Sequence, residues 1–362
     1  MYRHMAVCGR PFESWWRLES QEGIPRLNSG HNAVTSHQEN MMPTPKAPPF
    51  DVELGATLAA LGDLLNPTLT PDMISGMRAA PLTSPIEEQL AGHAVRHVER
   101  TIPGPDGAPD LVVSIFTRID HVPGGPGIYH THGGGMVIGD RFLGADMLIE
   151  WVELMDAVAV SVEYRLAPEN PDPAPVEDCY AGLVWTAEHA EELGFDPERL
   201  IIAGASAGGG LAAGVALMAR DRGGPALAGQ VLICPMLDDR NETVSSHQID
   251  GFGLWDRTSN DTGWDALLGD RRKTSEVSIY AAPARATDLS NLPPAFIDVA
   301  TAEVFRDEVV AYASAIWAVG GVAELHVWAG GFHGFDMIVP QAAMSIQARD
   351  VRTKWVRRIL GA

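Results

Sequence analysis

Apolar and polar positions along this chain change period, and the change sets its organisation. Over residues 50–65 and 84–98, Leu, Ala, Ile and Val recur at helical spacing around a proline-punctuated loop, which predicts two small helices. From about residue 99, short continuous apolar runs alternate with longer helical ones. Strands are predicted at 111–117, 127–130, 157–162, 200–203, 230–234, 295–299 and 323–328. Helices are predicted near 142–155, 176–193, 207–221, 306–319 and 341–358. Strands apolar along their whole length need cover on both faces. The alternation therefore predicts an α/β fold with a mostly parallel sheet flanked by helices.

Two stretches depart from this rhythm. Residues 238–280 are polar but carry Phe252, Trp255 and Trp264, and read as an insert near the mouth of a site. Residues 1–42 show no period and read as an irregular N-terminal extension, so the working protein is expected to begin near Met41. The expected division is 1–42 extension, 43–98 N-terminal cap segment, 99–237 first part of the core, 238–280 second cap segment and 281–362 second part of the core. The N-terminus lacks a basic stretch followed by an apolar one, which argues against a signal peptide.

Composition narrows the function classes. With 26 Lys and Arg against 47 Asp and Glu the net charge is −21, which argues against nucleic acid as a partner. No apolar run reaches the roughly 18 residues of a membrane span. Cys8, Cys179 and Cys234 are sparse, odd in number and free of any C-x-x-C spacing, which points to reduced thiols and a cytoplasmic setting.

Two glycine-rich motifs carry the candidate chemistry. Gly204-Ala205-Ser206-Ala207-Gly208 ends a predicted strand and opens a predicted helix. Small neighbours at such a sharp turn lift the serine hydroxyl clear of the backbone. His132-Gly133-Gly134-Gly135 follows another strand, and bare glycine N–H groups there suit an oxyanion. Gly134, Gly135 and Ala207 are the expected donors, with Gly133 a further candidate. A glycine at the last position of a dinucleotide fingerprint is absent, as is any P-loop.

A serine nucleophile needs a base, and the base needs a carboxylate. Only His326 and His333 lie in the final third with strand context. His326 sits within a strand, whereas His333 sits in a loop beyond its end, where catalytic groups of such sheets lie. For the acid, Glu303 in the loop after the 295–299 strand competes with Asp307 at the next helix start. His130-Thr131-His132 offers a rival reading as metal ligands.

These motifs resemble the hormone-sensitive-lipase family of esterases, bacterial lipolytic family IV, in the α/β-hydrolase fold. The resemblance spans roughly residues 100–355. It rests on His132-Gly133-Gly134-Gly135, Tyr164-Arg165-Leu166-Ala167-Pro168-Glu169, Gly204-Ala205-Ser206-Ala207-Gly208-Gly209, Arg306-Asp307-Glu308 and Phe332-His333-Gly334-Phe335, in the family's order. Ala205 departs from the acidic residue or Thr common before the serine. Counting back from Asp307-Glu308, the family's acid falls on Glu303. Asp178 matches a family position and is read as structural.

The resemblance implies a serine carboxylesterase acting on short- to medium-chain esters through Ser206, His333 and Glu303. No metal or organic cofactor is needed, and the partner is a small-molecule ester. A homodimer joined through a sheet edge is allowed. Phe252, Trp255, Trp264 and Phe332 are the expected pocket walls. Two other classes compete: a non-hydrolytic receptor on the same fold, and a metal-dependent hydrolase using His130 and His132.

Overall fold

The computed structural model describes residues 45–62 and 66–362. The predicted extension and Cys8 lie outside them. An eight-stranded sheet runs in the order β1 (Val95–Ile102), β2 (Leu111–Arg118), β4 (Val158–Glu163), β3 (Gly125–Thr131), β5 (Phe195–Ala205), β6 (Gly229–Ile233), β7 (Ala295–Ala300), β8 (Ala323–Trp328). β2 pairs antiparallel with both β1 and β4, and the remaining pairs are parallel. All seven predicted strands are present. In the centre of the sheet β4, β6 and β7 are buried along nearly their whole length, which explains their unbroken apolar runs.

Before the sheet come α1 (Val52–Leu61), α2 (Ile74–Ala79) and the one-turn α3 (Ile86–Gln89). Asp51 caps α1 by accepting from the N–H groups of Glu53 and Leu54 at 2.9 and 3.1 Å. The helix predicted over 84–98 is corrected: α3 ends at Gln89 and β1 begins at Val95. All eight β1 residues pair with β2, from Val95 opposite Arg118 to Ile102 opposite Leu111. Only the two end residues of β1 are buried. Its partner strand, not its own apolar pattern, holds it extended.

The helices that follow are α4 (Ala145–Met155), α5 (Ala174–Glu188), α6 (Ala190–Leu193), α7 (Ala207–Arg222), α8 (Val244–Gln248), α9 (Arg257–Leu268), α10 (Arg306–Ala318), α11 (Phe335–Ile338) and α12 (Ala343–Leu360). α8 and α9 lie in the polar insert. Adjacent strand residues face opposite ways. On β3, Tyr129 donates to the Cys179 carbonyl of α5 at 2.7 Å, while the next residue, His130, faces the α4 side. α7 packs with α5, and α12 meets α4 where Trp151 Nε1 donates to Thr353 Oγ1 at 2.9 Å.

α7 packs unusually close to its surroundings. A Cβ on Gly208, Gly210 or Gly214 would lie 2.1 Å from the carbonyl oxygen of Thr131, Met236 or Tyr280 respectively. That approach brings the first turn of α7 against the ends of β3 and β5.

Candidate active site

Ser206 is the single residue between β5 and α7. Its φ of 59° lies in the left-handed region, a strained conformation held by its neighbours. Its N–H donates to Ile233 O at 2.8 Å, and its carbonyl accepts from Gly210 and Met236 at 3.0 and 2.9 Å. A Cβ on Gly204 would come within 2.3 Å of Gly208 O, so the turn closes only over a glycine.

His333 lies in the turn between β8 and α11. Its Nε2 is 2.9 Å from Ser206 Oγ and its Nδ1 is 3.2 Å from Glu303 Oε1. A carboxylate can only accept, so Nδ1 carries the proton and Nε2 accepts from the serine hydroxyl. Glu303 follows β7, and its other oxygen accepts from Ala300 N at 2.9 Å. Both side chains are buried. The edge of the Phe305 ring meets the imidazole at a centroid separation of 5.2 Å. Asp307, the rival acid, is occupied elsewhere: it accepts from Ser245 N at 2.7 Å and Arg306 Nε at 2.8 Å.

The loop after β3 turns back beside Ser206. Gly134 and Gly135 have φ of 113° and 61°, and Gly134 O accepts from Val137 and Ile138 N–H groups. The N–H groups of Gly134, Gly135 and Ala207 take no acceptor among the described residues. Gly133 lies against the serine turn, where a Cβ would sit 3.0 Å from Ala205 O. The loop is held by His132, whose Nδ1 donates to Gly133 O at 2.8 Å. The His132 ring stacks on Tyr164 at 4.1 Å, and Tyr164 donates to His132 O at 2.9 Å. Burial lowers the pKa of His132 and pushes that of His130 down to about 3. Asp178 accepts two bonds from the Arg165 guanidinium, at 2.8 and 2.6 Å, and one from Arg165 N at 3.0 Å.

Among the described residues the metal-ligand reading of His130 and His132 finds no third ligand. Among the described residues the cluster with donor atoms within 4.8 Å of one another is Cys234, Glu303 and His333. Two of those three already bond to each other. Beyond them, Arg352 Nη2 bridges Asp298 and Asp336 at 2.9 Å each, all three side chains buried. That bridge pins the turn following His333.

A cavity of about 470 Å³ opens over Ser206 and His333. Its walls include Leu69, Met73, Met77 and Leu82 from the N-terminal segment, and Leu254 and Trp255 from the 238–280 insert. Of the four expected wall aromatics it meets Trp255 alone. Trp264 is on the buried face of α9 and is wholly enclosed. Phe332 turns inward against Phe50 at 6.0 Å, and Phe252 packs on the same ring. Trp255 lies directly over the glycine loop: a Cβ on Gly135 would be 2.2 Å from its ring.

An α/β-hydrolase family model matches residues 128–337, a span running from β3 through α11. The chain belongs to this family. It is similar to the esterase LipI of Mycobacterium tuberculosis, 33% identical over 310 residues that cover 76% of this chain and 91% of LipI. The carboxylesterase NlhH of the same organism is 36% identical over 254 residues, 69% of this chain and 79% of NlhH. The solved structure of a bacterial heroin esterase superposes with a TM-score of 0.80 at 38% identity, covering 86% of this chain and 98% of that one. These relatives are named as esterases, and the family member described here is a carboxylic ester hydrolase of the hormone-sensitive-lipase-like group. No helix among the described residues is long and apolar enough to cross a membrane.

The methionines on the cavity wall have no counterpart in the sequence reading. Met73 and Met77 sit where no clear period marks a buried face, and Met337 follows the histidine motif in a one-turn helix. Several unbranched thioethers on one wall were the available signal, since such side chains suit adaptable binding surfaces.

Proposed function

We propose that this carboxylesterase works through Ser206, His333 and Glu303 and hydrolyses short- to medium-chain esters. The observation that carries the reading is the single imidazole bonded on one side to Ser206 Oγ and on the other to Glu303. Ser206 Oγ attacks the ester carbonyl as His333 Nε2 takes its proton. The negative charge moves to the carbonyl oxygen, where the N–H groups of Gly134, Gly135 and Ala207 receive it and the N-terminal dipole of α7 supports it. The intermediate collapses, the C–O bond breaks, and His333 returns the proton to the leaving alcohol. Water then attacks the acyl-enzyme, again giving its proton to His333, and the acid departs. Glu303 holds the imidazole in the Nδ1–H tautomer and stabilises its cation.

Residues 43–98 and 238–280 act together as the cap, because both supply side chains to the cavity roof. The apolar wall of Met73, Met77, Leu82 and Leu254 supports an alkyl acyl group as the occupant. A chain-length panel of p-nitrophenyl esters tests the substrate class: kcat/KM peaks between acetate and octanoate and falls for palmitate. Labelling with a serine-directed organophosphonate tests the site. Stoichiometric loss of activity with the label on Ser206 is expected; chelator sensitivity with no label on Ser206 would overturn the scheme.

A further inference from the structure

The cavity contains a second polar feature that the hydrolytic scheme does not use. His130 Nδ1 is 2.9 Å from Ser161 Oγ, and the Ser161 hydroxyl donates its one proton to the Arg141 carbonyl at 2.8 Å. The hydroxyl oxygen can therefore only accept from His130, so the proton of the neutral imidazole sits on Nδ1. Nε2 is left as a bare acceptor. It takes no hydrogen bond from the described residues, and His130, 1% exposed as a whole, lines the same cavity as Ser206, so its remaining access is to that cavity. Gly144 stands before it without a side chain; a Cβ there would be 3.2 Å from Nε2.

We infer that His130 Nε2 is a specificity-determining acceptor that selects esters carrying a hydroxyl group. A substrate that fills the cavity without a donor leaves this acceptor unpaired at a cost in free energy, whereas a substrate donor that reaches it avoids that cost. The ligand is uncharged. The imidazole stays neutral because burial holds its pKa near 3, and the other ionic side chains of the cavity, Asp146, Asp336, Arg349 and Arg352, balance in sign. His130 lies on the α4 side of the sheet, facing Gly144. The cavity thus offers apolar side chains for an alkyl group and one fixed acceptor.

The inference rests on Ser206 being the nucleophile, so the experiment first confirms phosphonate labelling of Ser206 in each variant. Paired p-nitrophenyl esters are then compared, plain against hydroxylated at carbons 2 to 6 of the acyl chain. Glycol monoesters against propyl esters extend the comparison to the alcohol side. The wild-type protein favours the hydroxylated partner at one position by about tenfold in kcat/KM, and His130→Phe brings that ratio to about one. Gly144→Ala, which covers Nε2 without removing it, lowers the ratio in the same direction. A wild-type ratio near one at every position, or an unchanged ratio in His130→Phe, overturns the inference. Absence of the Ser206 label would instead overturn the catalytic reading.

Discussion

Two serine–histidine pairs whose histidines line the cavity have the same separation. Ser206 Oγ and His333 Nε2 are 2.9 Å apart, and so are Ser161 Oγ and His130 Nδ1. The difference between them lies in what surrounds each pair. Ser206 directs its proton toward the imidazole, whereas Ser161 gives its proton to a backbone carbonyl. His333 has a carboxylate behind it, whereas His130 has none. Ser206 sits on a strained turn, and the N–H groups of Gly134, Gly135 and Ala207 have no acceptor among the described residues, whereas Ser161 sits inside β4. Proximity to a histidine therefore does not by itself make a serine a candidate nucleophile; the direction of its proton decides.

The strongest way to break this comparison is to exchange the pairs' importance. Ser206→Ala is expected to remove turnover by about 10⁶-fold, whereas Ser161→Ala leaves kcat within a few fold, both measured on p-nitrophenyl butyrate. Glu303→Gln should lower kcat by about 10³–10⁴-fold, because the imidazole loses the partner that fixes its tautomer. Asp307→Asn, by contrast, should cost under tenfold; the reverse ranking would reassign the acid. Gly135→Ala should cost about 10²–10³-fold, since its methyl would meet Trp255 and shift a donor of the oxyanion loop.

The smallest effect concerns acid stability. The His130 pKa falls from an ordinary 6.5 to about 3 on folding, so between those pH values only the unfolded chain binds that proton. Stability is therefore complete above about pH 6.5 and drains away as pH drops toward 3. His130→Gln should flatten this part of the melting-temperature profile. A profile as steep as the wild type would place the acid sensitivity in other groups.

The sequence made some of this arrangement legible and concealed the rest for physical reasons. β4, β6 and β7 announced themselves because burial on both faces demands apolar runs. β1 did not, because Val95 and Ile102 alone are buried and the strand exists through its partner. Ser206 and His333 were visible from motif and strand context, since strained turns restrict residue choice. The choice of Glu303 over Asp307 depended on which carboxylate turned inward, and Ser245 and Arg306 hold Asp307 away. The wall aromatics were misjudged three times out of four because Phe252, Trp264 and Phe332 face other aromatic or core side chains. Side-chain direction in an irregular insert leaves no period to read. The bond between His130 and Ser161 is structural, and the other ring nitrogen becomes apparent as an acceptor only once the Ser161 proton is traced.

The close approach of α7 has a consequence for how the site comes into being. Gly208, Gly209, Gly210 and Gly214 each cost a helix about 0.8–1.0 kcal/mol relative to alanine. Such a segment forms no stable helix by itself and winds only against β3, β5 and the Met236 and Tyr280 carbonyls already in place. The turn that carries Ser206 therefore depends on the sheet for its shape. Where the sheet is lost, nothing holds Ser206 in its strained turn. Ester-cleaving power and tertiary integrity should disappear together, which makes the activity itself a reporter of whether the sheet is whole.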